Sequence, residues 1–296
     1  EIREANLKNW LATYVAQSPD MRALYQERVE GLRLSASALT SFVDVAYAGP
    51  QEFFKSYILR APREAETEAL AMGNLVHTVF EAVTNRGISD EEAAELYLAE
   101  LEKRALSTEV ARKVREKGPR DLAVALKAFG GVLRTGRAEV DFASDRLVVG
   151  GVPVTGKIDH ILIDEDARTI EIYDFKTGGY HKEKWQSHAT LYKYMLQLLF
   201  YKMLLNNSPL YAKYKVERAH ILFVTPDRDG EVYDKVYEFN AADEEGFLKL
   251  LAAMYGVVAD LSFLDDPEIF VAADQARGLK EIKGFIELLL AKNTKK

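Results

Sequence analysis

Three residues near the middle of the chain have the types and spacing for metal-assisted hydrolysis. Asp159 sits in Gly156-Lys157-Ile158-Asp159-His160, and fifteen residues further on comes Asp174-Phe175-Lys176-Thr177-Gly178. Asp174 and Lys176 are two apart in a β-rich stretch, so on a strand their side chains share one face. A short turn after the strand of Asp159 brings that carboxylate beside Asp174. Two adjacent carboxylates repel unless a cation separates them. Hard oxygen donors, with water in the remaining positions, suit Mg2+ or Mn2+. A lysine at such a centre can orient or deprotonate the attacking water, or stabilise charge building on a phosphate oxygen. Asp-x-Lys taken alone is more often a cross-face ion pair on a surface hairpin, so the motif needs company.

Two further features supply it. Gly73, His77 and Glu81 are each four apart in a helical pattern and line one face. An uncharged His77 can ligate a metal, and Glu81 can orient its ring from behind; the competing reading is a half-buried histidine on an amphipathic helix. Gln197 and Tyr201 are also four apart, inside the apolar run Met195–Leu205. A glutamine there must find hydrogen-bond partners or bear the cost of burial, which a structural core bond would also satisfy.

The elements that must carry these residues are readable in outline. Residues 3–30 have a helical pattern with Leu7, Trp10, Leu11 and Tyr14 on one face. Ser35 looks like the N-cap of a short helix through Phe42, and Pro50 opens another carrying Phe53, Phe54, Tyr57 and Ile58. The periodicity predicts helices over about 65–84, 90–105 and 119–134. Residues 138–148, 152–163 and 168–175, divided by Gly150–Gly151 and Asp164–Asp166, predict an antiparallel meander. A helix over 183–206, strands at 219–225 and 232–239, and helices at 242–260 and 278–292 complete the pattern. The chain then divides into an N-terminal helical segment (1–33) and one domain (34–296). That domain has a helical part (34–136), an α/β core (137–240) and C-terminal helices (241–296).

Composition narrows the chemistry. The 296 residues include 48% apolar and 29% charged side chains, which is ordinary for a globular protein. No apolar run approaches the roughly 20 residues a bilayer span needs, and no targeting signal is visible at the start, so a cytoplasmic location is expected. With no cysteine, thiolate zinc sites and cysteine-ligated iron–sulfur clusters are excluded. Thirty-nine basic against 46 acidic residues give a net charge of −7, so any contact with a polyanion must use a local basic surface. The stretch 111–120, with Arg112, Lys113, Arg115, Lys117 and Arg120, and the pair Lys182 and Lys184 are the candidates.

In this order, Gly73-x-x-x-His77, Gly156-x-x-Asp159, Asp174-x-Lys176 and Gln197-x-x-x-Tyr201 resemble the PD-(D/E)xK nucleases of the RecB and AddB type. Leu34-Ser35-Ala36-Ser37-Ala38-Leu39, with the aromatic pair Phe53-Phe54 behind it, is similar to the opening of that domain. The resemblance spans about residues 34–205. It implies a restriction-endonuclease-like fold: a three-layer α/β core with a mixed central sheet, surrounded by additional N- and C-terminal helices. It also implies Mg2+-dependent cleavage of DNA, with Mn2+ able to substitute. By the same likeness His77, Asp159, Asp174 and the backbone carbonyl of Phe175 bind the metal. Lys176 is then the catalytic lysine, and Gln197 and Tyr201 line the site near DNA.

Such domains are commonly joined to helicases that process DNA ends in repair and recombination, and a chain opening at Glu1 without methionine fits a piece of such an assembly. Two departures stand out. Ile158 occupies the place of the proline in the motif's name, and Val45-Ala46 stand where some relatives place the Cys-Pro of an iron–sulfur staple. A silent module of the same fold that binds DNA or a protein partner is the main alternative. A metal-binding domain unrelated to nucleic acid is a lesser one.

Overall fold

Strand β5 (Thr169–Lys176) organises the molecule because both of its faces are buried. Ile170 and Ile172 point into one apolar cluster, while Tyr173 and Phe175 point into another. The computed structural model describes residues 21–47, 49–62, 65–270 and 278–293; the face expected over Leu7–Tyr14 lies outside the described residues. Beside β5 lie β4 (Lys157–Asp164), antiparallel, and β6 (Lys215–Phe223), parallel. With β1 (Arg137–Asp141) outside β4 and β7 (Tyr233–Glu238) outside β6, they form a mixed sheet in the order β1-β4-β5-β6-β7.

Helices cover both faces. On one side pack α4 (Glu68–Arg86), α5 (Asp90–Glu102) and α6 (Thr108–Leu133), and on the other α2 (Ala36–Val43), α7 (Ala189–Asn207), α8 (Ala241–Ala259) and α10 (Leu279–Asn293). The remaining helices, α1 (Met21–Glu30), α3 (Gly49–Phe53) and α9 (Ser262–Asp265), lie along the chain at the margins of this second layer. The three-layer α/β architecture with a mixed sheet and flanking helices expected from the sequence is what the chain adopts.

The caps are where the side chains place them. The Ser35 hydroxyl accepts from Ala38 N–H to start α2, and Thr67 does the same for Leu70 at the start of α4. Ser89 and Glu92 form a reciprocal capping box on α5. Gly87 closes α4 in the left-handed region (φ 65°), where a Cβ would be strained. Helix α4 thus has fixed ends, and Leu75, Val76, Val79, Phe80 and Val83 turn its apolar stripe to the sheet. His77 stays at the stripe's border.

Three expectations need correction. The helix expected from 119 begins at Thr108 and runs through Pro119 without a break. Gly118 lets it pass tightly over Tyr97, and that close packing outweighs the single backbone bond lost at the proline. The long strands expected at 138–148 and 152–163 are shorter: between β1 and β4 the chain makes a separate two-stranded ribbon, β2 (Val148–Val149) with β3 (Val152–Pro153). Gly150 and Gly151, both at positive φ, close it. Finally, α7 starts at Ala189 rather than 183, so residues 177–188 are a loop ending in a 3-10 turn.

The contact at Gly118 gives a stability prediction. A Cβ there would lie 1.9 Å from the Tyr97 hydroxyl oxygen, and Tyr97 is fully buried against Met72 of α4. Gly118→Ala must therefore push α5 and α6 apart, at a cost of about 1–3 kcal/mol. Urea unfolding should show a lower midpoint at unchanged slope; an unchanged or higher midpoint would mean that Tyr97 moves aside freely.

Candidate active site

The ladder between β4 and β5 ends early on one side, and the site fills the gap. Its last backbone pair is His160 with Tyr173, although β5 stays paired with β6 as far as Lys176 and Phe223. The Phe175 N–H that would continue the ladder to β4 donates instead to Asp159 Oδ2 at 2.9 Å. A carboxylate has replaced a main-chain acceptor, and β4 and β5 part at the C-terminal end of β5. The site thus lies at the carboxyl end of β5, the end of the strands where open α/β sheets bind ligands.

Side chains converge there from both helical layers. From α4, His77 Nδ1 lies 3.6 Å from Asp159 Oδ1 and 3.7 Å from Glu139 Oε1. From α7, Gln197 Nε2 donates to Asp174 Oδ1 at 2.9 Å and to the Tyr201 hydroxyl at 2.6 Å. Lys176 Nζ donates to Gln197 Oε1 at 3.1 Å and lies 4.9 Å from the centre of the Tyr194 ring. Nζ is also 2.7 Å from Asp174 Oδ2, a buried ion pair that supplies that oxygen's partner.

The electrostatics follow from this crowding. Burial and the neighbouring Asp174 hold the Asp159 carboxyl well above the usual carboxylate range, against the pull of His77 and Lys176. Burial alone would lower the His77 pKa, but Asp159, Glu139 and Asp174 together raise it to about 9. Burial would likewise lower that of Lys176, yet Asp174 and Asp159 keep it above its ordinary value. Without a cation, then, protons and an ammonium do the work of balancing the carboxylates.

His77, Glu139 and Asp159 each offer one donor atom within 4.8 Å of the others, enough to hold a metal ion. Asp174 adjoins this trio, its Oδ2 held by the Lys176 ammonium. Three carboxylates and one imidazole fit a hard divalent cation.

The structure brings together His77, Asp159, Asp174, Lys176, Gln197 and Tyr201, with Phe175 between them. Glu81 is set apart: it is exposed, its charge acts on Lys157, and the carboxylates beside His77 are Glu139 and Asp159. Lys182 and Lys184 are exposed on the loop after β5. The basic stretch 111–120 is largely neutralised, with Arg112 paired to Glu116, Lys113 to Glu109, Arg115 to Glu102 and Lys117 to Glu68.

Sequence reasoning missed Glu139. It lies on β1 at φ 52°, with its carboxylate 3.7 Å from His77 Nδ1 and 3.1 Å from Lys157 Nζ. Those two cations hold its carboxyl below the usual range despite burial. An acidic residue among apolar ones in Ala138-Glu139-Val140 was the available signal.

Residues 33–271 match the family described as the PD-(D/E)XK nuclease superfamily, which is most of the chain. A comparison with curated proteins finds no match.

The His77–Asp159 pair predicts a pH-dependent stability for the EDTA-treated protein. The folded-state pKa of His77 is raised from 6.5 to about 9, so its contribution is complete below 6.5 and is lost as pH rises through 9. The Asp159 carboxyl is also shifted upward and acts in the same direction. The melting temperature should therefore fall across pH 6.5–9, and saturating Mg2+ should flatten the decline by substituting for the protons. The same slope in a His77→Ala protein would assign it to other groups.

Proposed function

The chain belongs to the PD-(D/E)XK nuclease superfamily, and from that membership we propose that it is a divalent-metal-dependent deoxyribonuclease of the RecB/AddB type. Its substrate is DNA, its cofactor Mg2+ with Mn2+ as a substitute, and its work is the processing of DNA ends in repair or recombination beside a helicase domain or subunit. The observation that carries the reading is the trio His77, Glu139 and Asp159, whose donor atoms lie within 4.8 Å of one another beside the buried Asp174–Lys176 pair. The ordered motifs around it, from Gly73-x-x-x-His77 to Gln197-x-x-x-Tyr201, support the RecB/AddB assignment.

Asp159, Asp174 and the Phe175 carbonyl, joined by His77 and Glu139, would hold the ion. Once bound, the ion neutralises charge on the scissile phosphate and acidifies water. The residues have separable tasks. His77 must give up its proton to ligate. Gln197 holds Oδ1 of Asp174 while Lys176 lies against Oδ2. Lys176, anchored at Gln197 Oε1 and against Tyr194, keeps an ammonium donor at the edge of the site, where a phosphoryl oxygen gains charge. Tyr201, whose hydroxyl burial pushes well above its ordinary pKa, stays a neutral hydrogen-bonding group.

The acidic balance and the ion pairs along α6 favour a limited DNA grip, with Lys182 and Lys184 the better placed cations. A helicase that threads DNA to the site would raise its local concentration without new chemistry.

End-labelled linear and circular DNA, incubated with Mg2+ or with EDTA, tests the reading directly. Cleavage should require the metal and should disappear in Asp159→Asn and Asp174→Asn, with DNA binding retained. Lys176→Ala should slow the reaction about 10²–10³-fold while metal binding by calorimetry is unchanged or tighter. Glu139→Gln should raise the Mg2+ needed for half-maximal rate about tenfold. Absence of cleavage across divalent metals, with DNA binding intact, would replace this reading with a silent binding module.

A further inference from the structure

The loop from β5 to α7 carries a second set of ligating side chains, unconnected with Asp159. His181, Glu183 and His188 each place one donor atom within 4.8 Å of the other two. The two imidazole rings stack with centroids 4.1 Å apart. Nδ1 of His188 is buried and has no hydrogen-bond partner. His188 occupies the N-cap position of α7, yet its side chain makes no capping bond. Helix initiation therefore does not explain why the ring is there.

The backbone holds these ligands in place. Lys235 of β7 donates to the carbonyls of His181 (3.2 Å) and Glu183 (2.9 Å), and Trp185 Nε1 donates to Val236 O at 3.1 Å. One end of the loop is thus fastened to the sheet edge, while the third ligand rides on α7. A buried, unpaired imidazole nitrogen is costly unless a proton or a metal meets it. Two imidazoles and one carboxylate form a softer donor set than the carboxylate-rich site around Asp159. It is the His2Glu set that Zn2+ accepts with water in the fourth position.

We propose that His181, Glu183 and His188 form a transition-metal site of the zinc class that clasps the 177–188 loop. Its ligands lie between Lys176 and Gln197 in the chain, so an ion there fixes the start of α7 relative to the end of β5. The Phe223 ring neighbours both His181 and Tyr194, with centroids 6.4 Å away in each case, and links the clasp to the aromatic partner of Lys176. It also holds Lys182 and Lys184, interleaved with the ligands, on a rigid segment. The proposal does not depend on the nuclease reading, because it concerns binding of the metal alone.

The test is Zn2+ titration of the full chain after EDTA treatment and desalting, by calorimetry and elemental analysis. A His77→Ala/Asp159→Asn protein, lacking ligands of the other site, should still bind one Zn2+. Adding His181→Ala and His188→Ala should abolish that binding, and Glu183→Gln should weaken it about tenfold or more. Circular dichroism establishes that each variant is folded. Peptide mapping after histidine carbethoxylation supplies an arm on the unmutated chain, where Zn2+ should protect His181 and His188. The proposal is overturned if folded His181→Ala/His188→Ala protein retains its full zinc stoichiometry, if zinc binding vanishes with His77 and Asp159, or if neither histidine is protected.

Discussion

Carboxylates gathered at the end of one strand repel each other, and much of the surrounding structure is organised to tolerate that repulsion. Asp159, Asp174 and Glu139 share a small region at the C-terminal end of β5, and Asp174 is fully buried. Each has a different compensation: a backbone N–H for Asp159, the amide of Gln197 for Asp174, and Lys157 for Glu139. His77 and Lys176 carry the positive charge between them, both with pKa values above their ordinary ones. Such an arrangement holds protons that a divalent cation can replace, which ties metal affinity to pH. It also explains why β4 and β5 separate there: a continued ladder would leave Asp159 without its N–H partner.

The three-layer fold turns that repulsion into a usable geometry. Helix α4 brings His77 from one layer and α7 brings Gln197 and Tyr201 from the other, so the site lies where both layers meet the strand end. Neither layer could build it alone. The hydrophobic clusters on either face of β5 are therefore the mechanical support of the charge cluster: Phe80 against Phe175, with centroids 4.9 Å apart, and the buried Leu196 and Leu198 that flank Gln197 in α7.

Much of this was legible in the residues, because the motifs combine local spacing with fixed order. His77 four after Gly73, Lys176 two after Asp174 and Tyr201 four after Gln197 define faces of single elements, and periodicity reports faces well. Glu139 was not legible, since the residues that give it its role, His77 from α4 and Lys157 from β4, are brought to it only by the fold. The basic stretch 111–120 was over-read for a different reason. Its partners Glu109 and Glu116 stand at helical i,i+4 spacing, but Glu68 and Glu102 come from α4 and α5, and only the fold supplies them. The helix expected from 119 begins instead at Thr108, its passage through Pro119 accompanied by close packing of Gly118 over Tyr97. The ribbon of β2 and β3 escaped notice because Gly150–Gly151 reads equally well as a turn between two sheet strands.

Gln197 shows most sharply how much one residue type can be constrained. Its amide must give a hydrogen to Asp174 and accept one from Lys176, while a second hydrogen reaches Tyr201 at 2.6 Å. A glutamate could accept from Lys176 but would set a fourth negative charge against Asp174. A leucine would fit the apolar run from Met195 to Leu205 yet remove the hydrogen bonds from Gln197 to Asp174 Oδ1 and from the Lys176 ammonium to Gln197, leaving Asp174 only the longer bond from the Tyr201 hydroxyl on that helix. A lysine or arginine would compete with the cation for Asp174. Only a neutral group with both a donor and an acceptor end holds Asp174 and Lys176 at once without neutralising either. The helix tolerates that polar side chain inside an apolar stretch because all of its hydrogen-bonding capacity toward the site is used. The sequence position that looks least suited to a buried helix is thus the one that couples the acid and the base across the layers.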